Sequence, residues 1–454
     1  MEGDIVETQM LRATMEKLKA SKDMLICQQN VSSEYELGAI LKHFNNKKPI
    51  LFNSVDGAKK RAIGGLYGDR NIIYNLMGID KETRIDKFIS ALVNPKDYKI
   101  VNDGPVRENI VKHNIDLKRF FPIPKFNEKD SARYITAGVL VVKDKEKNNY
   151  YTSIRRFQYL GSNKLSVLIA SKKLMNDFLK MEKQNESMEV AIVLGYDAEF
   201  LLSSQYSTDL YGVDKYRIDS ALRGEPLELV KCETVDLLVP AYCEIVLEGK
   251  IISGKREPEG PFGELMGYYG IEKPQPVIEI NSIMYRNDPI FQIAFPCREE
   301  HVSNGLIREI ELYTNLNKVV DVSDVYVTEG GGYRFNAVAS IKKHNDGDGK
   351  SAIISGLGYN SELKQIVIVD DDVNIYDPQE IEWAITTRAQ ASNDFVIIKS
   401  ALGSALEPSH TISGTSDKVG IDATKPITGD IERFERTKIP GYDKIDINKY
   451  FPTI

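Results

Sequence analysis

The middle third of the chain repeats short apolar segments separated by polar turns, and this pattern limits the possible folds most strongly. Two of the turns are the charged stretch 143–149 and the segment Gly161-Ser-Asn-Lys164. One helix is predicted at 173–182 from its apolar spacing. Many short strands with few helices predict antiparallel sheet, arranged as a small barrel or a sandwich. The segments that predict strands are 135–142, 150–160, 165–170, 190–194, 244–247, 251–252 and 276–285.

The regions on either side of this β-rich part are predicted to be mixed α/β. A chain of 454 residues holds about three domains at about 150 residues each. The proline-rich residues 120–124 favour an extended linker before the β-rich part. Predicted helices at 10–19, 81–92, 306–316 and 378–388 alternate with predicted strands at 49–53 and 367–370.

Charge and hydropathy exclude several classes of protein. The 59 basic and 66 acidic residues give a net charge of −7, so a uniform basic surface and a nucleic-acid partner are not expected. The longest apolar runs, such as 137–142, are far too short to span a membrane. No secretory signal is visible at the N-terminus, and the four cysteines form no CxxC pair. We therefore expect a cytoplasmic protein with reduced cysteines.

The strongest chemical feature is the segment Glu257-Pro-Glu-Gly-Pro-Phe-Gly-Glu264. Its two prolines and two glycines are incompatible with a regular helix or a central strand, which leaves a stiff, bent loop. Such a loop could direct Glu259 and Glu264 into one pocket. Two neighbouring carboxylates do not ionise together easily, so one of them could act as a general acid. The alternative is a proline-glycine turn with solvated acids, and the segment alone leaves both interpretations open.

Two other acidic stretches resemble binding motifs but depart from them. Residues 346–351 end like a phosphate-binding loop, yet His344 stands where the loop needs glycine, and Lys350 stands where a calcium loop needs Asp or Asn. A solvated turn is the favoured interpretation. Residues 370–372 are three aspartates that could bind a cation, but capping of the next element by Asx-type hydrogen bonds is favoured.

The segment 259–264, followed by Gly267-Tyr268, resembles the signature of the UbiD-type decarboxylases, which use prenylated flavin mononucleotide (prenylated FMN). The similarity extends in order from about residue 50 to about residue 425. The other matching segments are Tyr134-Ile-Thr-Ala-Gly138, Leu222-Arg-Gly-Glu-Pro226, Val230-Lys-Cys-Glu233, Asp236 through Pro240, Asp370-Asp-Asp-Val-Asn374, Trp383-Ala-Ile-Thr-Thr-Arg388 and Gly420-Ile-Asp-Ala-Thr424.

This resemblance implies a three-part fold. It comprises an N-terminal α/β domain (1–120), a central flavin-binding split β-barrel (121–300) and a C-terminal α/β domain with an oligomerisation tail (301–454). The implied reaction is reversible, non-oxidative decarboxylation of an aromatic or α,β-unsaturated carboxylic acid. In the family, the modified flavin forms a covalent adduct with the substrate and takes up electrons as CO2 leaves. A flavin prenyltransferase that supplies the cofactor and a homo-oligomer, either a dimer or a hexamer, are implied as well.

The resemblance also assigns residues to the cofactor. The segment Ser153-Ile-Arg-Arg-Phe-Gln158 resembles the family's cofactor strand, which implies cofactor contacts at Ser153 and Ile154 and a catalytic arginine at Arg156. Without the resemblance, Arg155 and Arg156 would look equivalent.

The two acids of the proline-glycine segment complete the implied catalytic set. By resemblance, Glu259 pairs with Arg156 and Glu264 donates the proton that replaces the carboxylate. The assignment is chemically reasonable, because an arginine keeps its charge and can hold a carboxylate partner ionised.

The family usually holds a divalent metal, manganese or magnesium, at the flavin phosphate, and this chain departs from that ligand set. The glutamate ligand is implied at Glu233, but Tyr151 stands at the asparagine position and Lys173 at the histidine position. Neither is a usual ligand of a hard divalent ion. One hypothesis is that Lys173, with Lys418, replaces the metal by binding the phosphate and Glu233. The alternatives are that Lys173 faces solvent, or that the alignment slips and Asn149 supplies a ligand.

Two other functions remain possible from the sequence. A family member that has lost its activity could bind a flavin or a small acid as a sensor or scaffold, in keeping with the altered metal ligands. A glycosidase could use Glu259 and Glu264 as its carboxylate pair, although the sequence shows no sign of a sugar cleft.

Overall fold

The computed structural model describes residues 7–57, 59–144, 146–207, 212–296 and 298–451. The first six residues, on which the expected absence of a secretory signal depends, lie outside this range. The helices are Met10–Ala20, Glu36–His43, Arg70–Met77, Arg84–Val93, Leu117–Phe120, Lys172–Glu182, Ala198–Gln205, Lys215–Arg223, Glu299–Leu316, Asp348–Tyr359, Pro378–Arg388 and Ala391–Asp394. The strands are Leu25–Val31, Ile50–Val55, Lys60–Gly64, Lys99–Ile100, Asn109–Val111, Tyr134–Asp144, Asn149–Gly161, Lys164–Val167, Met188–Leu194, Glu228–Lys231, Leu238–Pro240, Ile245–Glu259, Phe262–Gly263, Tyr269–Gly270, Lys273–Tyr285, Ile290–Gln292, Asp321–Val327, Asn336–Lys342, Gln365–Asp370, Phe395–Leu402 and Thr415–Ala423.

The β-rich part of the chain folds into a closed antiparallel barrel. Six strands pair in a ring, and the last strand of the ring hydrogen-bonds to the first, so the prediction of a barrel or a sandwich resolves to a barrel. The alternating side chains of these strands give each of them one face in a fully buried apolar core. The order around the ring is Ile245–Glu259, Met188–Leu194, Tyr134–Asp144, Asn149–Gly161, Lys164–Val167 and Lys273–Tyr285.

The strand Ile245–Glu259 is longer than the sequence suggests. The two predicted segments at 244–247 and 251–252 join into one strand, and this strand continues into the proline-glycine segment as far as Glu259. The expectation that the whole segment is a loop is therefore wrong for residues 257–259. Pairing of this strand with Met188–Leu194 ends at Ile251, and residues 256–259 pair with Lys273–Tyr285 on one side. Proline is tolerated there because an edge strand does not need every N–H for pairing.

Besides a three-stranded and a two-stranded sheet, two larger sheets flank the barrel. The N-terminal sheet contains three strands from the first 64 residues and a fourth, Ile290–Gln292, that the chain contributes after it leaves the barrel. The C-terminal sheet has five strands, in the order Asp321–Val327, Asn336–Lys342, Gln365–Asp370, Thr415–Ala423 and Phe395–Leu402. Separate apolar clusters lie around this sheet, as expected for a layered α/β unit with helices on the sheet.

The two remaining acidic stretches have structural roles. Asp346 accepts hydrogen bonds from the backbone of Ile427 and the hydroxyl of Thr428, just before the helix Asp348–Tyr359 begins. Asp370 and Asp372 form ion pairs with the buried Arg388, so a partner other than the expected Asx cap satisfies them. Among the described residues, no helix combines the length and the apolar character needed to cross a bilayer.

Candidate active site

Arg156 and the two glutamates of the proline-glycine segment meet on the barrel. Nε of Arg156 donates to Oε1 of Glu259 at 2.9 Å, and Nη2 donates to Oε2 at 3.1 Å. The third nitrogen, Nη1, donates to Oε1 of Glu264. One guanidinium therefore joins two carboxylates that lie five positions apart in the chain, with Glu259 bound in the bidentate geometry that arginine favours.

This group is largely withdrawn from solvent. The side chains of Arg156, Glu259 and Glu264 are 13%, 2% and 15% exposed. Burial alone would lower the pKa of Arg156, but the charges of Glu264 and Glu259 outweigh it and raise the pKa above its usual value. The guanidinium is thus a permanent cation shared by two acids.

A network of aromatic and amide side chains fixes the group in place. The guanidinium lies over the ring of Phe262 at 4.6 Å, and Phe262 packs on Tyr134 with ring centroids 4.4 Å apart. Oε1 of Gln158 accepts hydrogen bonds from the hydroxyl of Tyr134 and from the backbone N–H of Gly260, at 2.8 and 2.9 Å. Gln158, two residues after Arg156 on the same strand, therefore anchors the segment that carries both glutamates.

The end of the segment is a tight hairpin that positions Glu264. Strands Phe262–Gly263 and Tyr269–Gly270 pair, and the N–H of Glu264 donates to the carbonyl of Tyr268 at 2.7 Å. A Cβ atom at Gly270 would lie 2.6 Å from Oε1 of Glu264. Glycine at this position leaves the space that the carboxylate occupies.

A cavity of about 240 Å³ opens beside these residues. Arg156 and Glu264 line it, whereas Glu259 does not, because Glu259 lies behind the guanidinium. The apolar part of the wall is formed by Ile154, Leu168, Ala170, Phe262, Pro296 and Leu406. The geometry therefore gives the two glutamates different positions, since Glu264 can reach a bound molecule and Glu259 holds Arg156.

Sequence reasoning missed the polar wall contributed by the C-terminal part of the chain. His301 and Arg334 line the cavity, and Nδ1 of His301 is buried without a hydrogen-bond partner among the described residues. Burial lowers the pKa of His301 well below its usual value, and Arg334 and Arg308 lower it further. Burial would raise the pKa of Glu362, but these two arginines outweigh it and lower the pKa to about 2. His301 was visible in the sequence only as one of five histidines.

The predicted cofactor residues on the strand Asn149–Gly161 lie close to the cavity. Ile154 and Arg156 line it, and so does Arg155, which the resemblance did not assign to the cofactor. Ser153 is buried, and its hydroxyl oxygen accepts a hydrogen bond from Nε of Arg155 at 3.1 Å.

The other three predicted cofactor residues are not brought together. Nζ of Lys173 pairs with Asp144 at 3.2 Å and with Asp177, one helical turn away, at 2.7 Å. The carboxylate of Glu233 is bound by two other cations, Arg107 and Lys112.

Lys418 binds backbone carbonyl groups and not Glu233. Its side chain donates to the carbonyls of Leu357 and Asn360 at the C-terminal end of a helix, where a cation stabilises the last carbonyls. The arrangement in which Lys173 and Lys418 bind Glu233 is therefore not formed.

The described residues at the expected metal position do not fit a divalent metal. No group of three or more His, Cys, Asp or Glu side chains within the described parts of the chain could hold one. Asn149, the alternative ligand, donates its amide N–H to the carbonyl of Gly212 at 3.1 Å. Tyr151 and Lys173 offer no carboxylate or imidazole in place of the expected ligands.

Family models and known relatives agree with this fold. The N-terminal, Rift-related and C-terminal domain models of 3-octaprenyl-4-hydroxybenzoate carboxy-lyase (UbiD) match residues 15–92, 99–299 and 301–423. Anhydromevalonate phosphate decarboxylase from Methanosarcina mazei is 36% identical over 426 residues, which cover 93% of this chain and 98% of that protein.

Solved structures show the same similarity. The UbiD-class enzyme HmfF from Pelotomaculum thermopropionicum, in complex with FMN, matches with a TM-score of 0.94 and 40% identity over 97% of this chain and 99% of that one. An evolved dimeric form of the same enzyme, in complex with prenylated FMN, matches with a TM-score of 0.89 and 37% identity over 97% and 100% of the two chains.

Proposed function

This chain belongs to the UbiD family and is a carboxy-lyase, and we propose that it decarboxylates an aromatic or α,β-unsaturated carboxylic acid reversibly, without oxidation, using prenylated FMN. The observation that supports this most strongly is the pairing of Arg156 with both glutamates at the wall of a cavity. The cavity has apolar walls for a flat ring system and a fixed cation at one side, and such a site suits a flavin and an acid. When bound, the prenylated flavin supplies the electron sink for the electrons that CO2 leaves behind.

Three residues of this chain have different roles in the loss of CO2. Arg156 keeps its positive charge and can bind the carboxylate of the substrate or a carbonyl of the cofactor. Glu259 binds Arg156 with both oxygens and fixes its direction. Of the two glutamates, Glu264 is the one that lines the cavity, so in its protonated form it can deliver a proton to the carbon that has lost CO2.

This geometry argues against the two alternatives. A glycosidase needs two carboxyl groups on either side of a bond, but Glu259 faces Arg156 and does not line the cavity. A sensor would not need the acid, the cation and the second acid in one buried network. The retained network therefore supports an enzyme.

We further propose that the protein works in the cytoplasm, depends on a separate flavin prenyltransferase for its cofactor, and forms homo-oligomers through its C-terminal tail from Pro426 on. The tail exposes large apolar side chains along its described length. Ile431, Ile439, Tyr442 and Phe451 are 52%, 72%, 72% and 53% exposed. Association of two copies would cover such side chains.

The proposed chemistry is tested by Glu264→Gln in protein loaded with prenylated FMN, assayed by CO2 release from a panel of aromatic and α,β-unsaturated acids. The amide has nearly the same volume but cannot deliver a proton, so turnover should fall by about 10²–10⁴-fold with the flavin retained. The matched control is Glu257→Gln, because Glu257 is an exposed acid of the same segment and should be dispensable. A loss below about threefold for Glu264→Gln would contradict the role of Glu264.

A further inference from the structure

A buried lysine lies behind the strand that carries Arg156. Lys215 begins the helix Lys215–Arg223 and is 2% exposed. Its ammonium donates to the backbone carbonyls of Thr152 and Ser204 at 2.7 and 2.8 Å. Lysine is rarely buried so completely, and carbonyl oxygens are ligands that protein sites use for bound cations. The ammonium of Lys215 thus occupies a cation position built from backbone oxygens.

The residue next to this ammonium is Tyr151, which stands where the family pattern expects a metal-binding asparagine. Nζ of Lys215 lies 4.5 Å from the centre of the Tyr151 ring. Burial would raise the pKa of Tyr151, but Lys215 and Arg155 outweigh it and lower the pKa to about 8. Two cations therefore act on one half-buried phenol.

The same positive region extends to the proposed flavin cavity. Tyr151, Ser153 and Arg155 alternate along one face of their strand, and Arg155 donates to the other two side chains at 3.4 and 3.1 Å. Arg155 lines the cavity, as does Gln205, the neighbour of the Ser204 carbonyl that holds Lys215. A chain of cations and hydroxyl groups thus runs from the buried ammonium to the cavity wall.

We propose that the ammonium of Lys215 is a built-in cation that takes the place of a bound metal ion behind the flavin phosphate, and that Arg155, which lines the cavity, binds the phosphate. This inference rests on the proposed function, because it assumes that FMN or prenylated FMN occupies the cavity. It accounts for the missing metal ligands and differs from the sequence-based hypothesis, in which Lys173 was the replacement. Lys173 is engaged by Asp144 and Asp177, whereas Lys215 contacts Tyr151.

Binding of FMN and riboflavin to flavin-free protein tests the proposal, with flavin fluorescence as the readout. The two ligands differ in the phosphate alone, so their comparison isolates the phosphate site. In EDTA, wild-type protein should bind FMN, and added Mn²⁺ or Mg²⁺ should change its affinity less than about twofold. Lys215→Met should weaken FMN binding about tenfold or more, since a positive charge near the phosphate is lost, and should change riboflavin binding less than about twofold. Lys173→Met is the matched control, because it removes a lysine that pairs outside this cluster, and it should leave both affinities unchanged.

The wild-type measurement does not depend on whether the Lys215 variant folds. FMN binding that disappears in EDTA and returns with Mn²⁺ or Mg²⁺ would overturn the proposal and leave the proposed function standing. Equal losses of FMN and riboflavin binding in Lys215→Met would also overturn it, because they would indicate a structural role. If wild-type protein bound neither flavin in any of these buffers, the proposed cofactor and this inference would both be wrong.

Discussion

Removing Arg156 should destabilise the barrel far more than removing a similar arginine at its surface. Arg156→Met leaves Glu259, which is 2% exposed, without the partner that binds both of its oxygens. Breaking a buried ion pair on one side typically costs about 3–5 kcal/mol, because a charge stays buried without compensation. We expect a loss near the lower end, about 3 kcal/mol, since the guanidinium still has some contact with solvent.

The chain offers a matched control for this substitution. Arg256 also binds both oxygens of one glutamate, because its two Nη atoms donate to Glu182 at 2.9 Å, but the two side chains are 29% and 21% exposed. Arg256→Met should therefore cost only about 0–1 kcal/mol. The comparison separates the effect of burial from that of the contact itself.

The assay is urea unfolding followed by circular dichroism, with hydrogen exchange of the barrel strands as a check that the barrel is the part affected. The double variant Arg156→Met/Glu259→Met should regain most of the lost stability, because replacing a whole buried pair by apolar side chains is often neutral. Equal losses for Arg156→Met and Arg256→Met, or no recovery in the double variant, would refute the reasoning.

Three other changes test contacts around the site. Gly270→Ala should lower turnover about tenfold or more with little change in stability, because its Cβ would lie 2.6 Å from Oε1 of Glu264; wild-type rates would contradict the positioning of that carboxylate. The FMN affinity of wild-type protein should fall as the pH rises through about 8, because Tyr151 then loses its proton and its negative charge repels the phosphate. The variant Tyr151→Phe should show no such fall, and parallel pH profiles of the two proteins would exclude this effect. Removal of residues 430–454 should lower the molar mass measured by light scattering to that of a smaller assembly, and an unchanged mass would show that the tail is not the interface.

Much of the barrel was predictable because strands with one buried face carry an alternating pattern. The strands at 134–144 and 149–161 were found within a residue or two. The full strand Ile245–Glu259 was not, because Gly254 and Pro258 interrupt its pattern and only pairing with Lys273–Tyr285 carries it through. The fourth strand of the N-terminal sheet, Ile290–Gln292, was equally hidden, since its partner lies more than two hundred residues earlier in the chain.

The candidate site also has residues that the sequence predicts and residues that only the fold reveals. Glu259 and Glu264 stood out because proline and glycine fix their directions, but Arg156 could be separated from Arg155 only by resemblance to a family. The fold distinguishes the two, since Arg156 binds both glutamates and Arg155 contacts Ser153. Lys215 could not be predicted as part of a cation site, because its partners are backbone carbonyls that no side-chain motif can reveal.

The most direct test of the central claim uses protein produced together with a flavin prenyltransferase and incubated with candidate acids in D2O. We expect the bound chromophore to have the mass of prenylated FMN. CO2 release should be accompanied by deuterium at the carbon that carried the carboxylate, and both should be largely lost in Glu264→Gln. Protein that retains prenylated FMN but releases no CO2 from any aromatic or α,β-unsaturated acid, or a Glu264→Gln variant as active as wild type, would contradict the account.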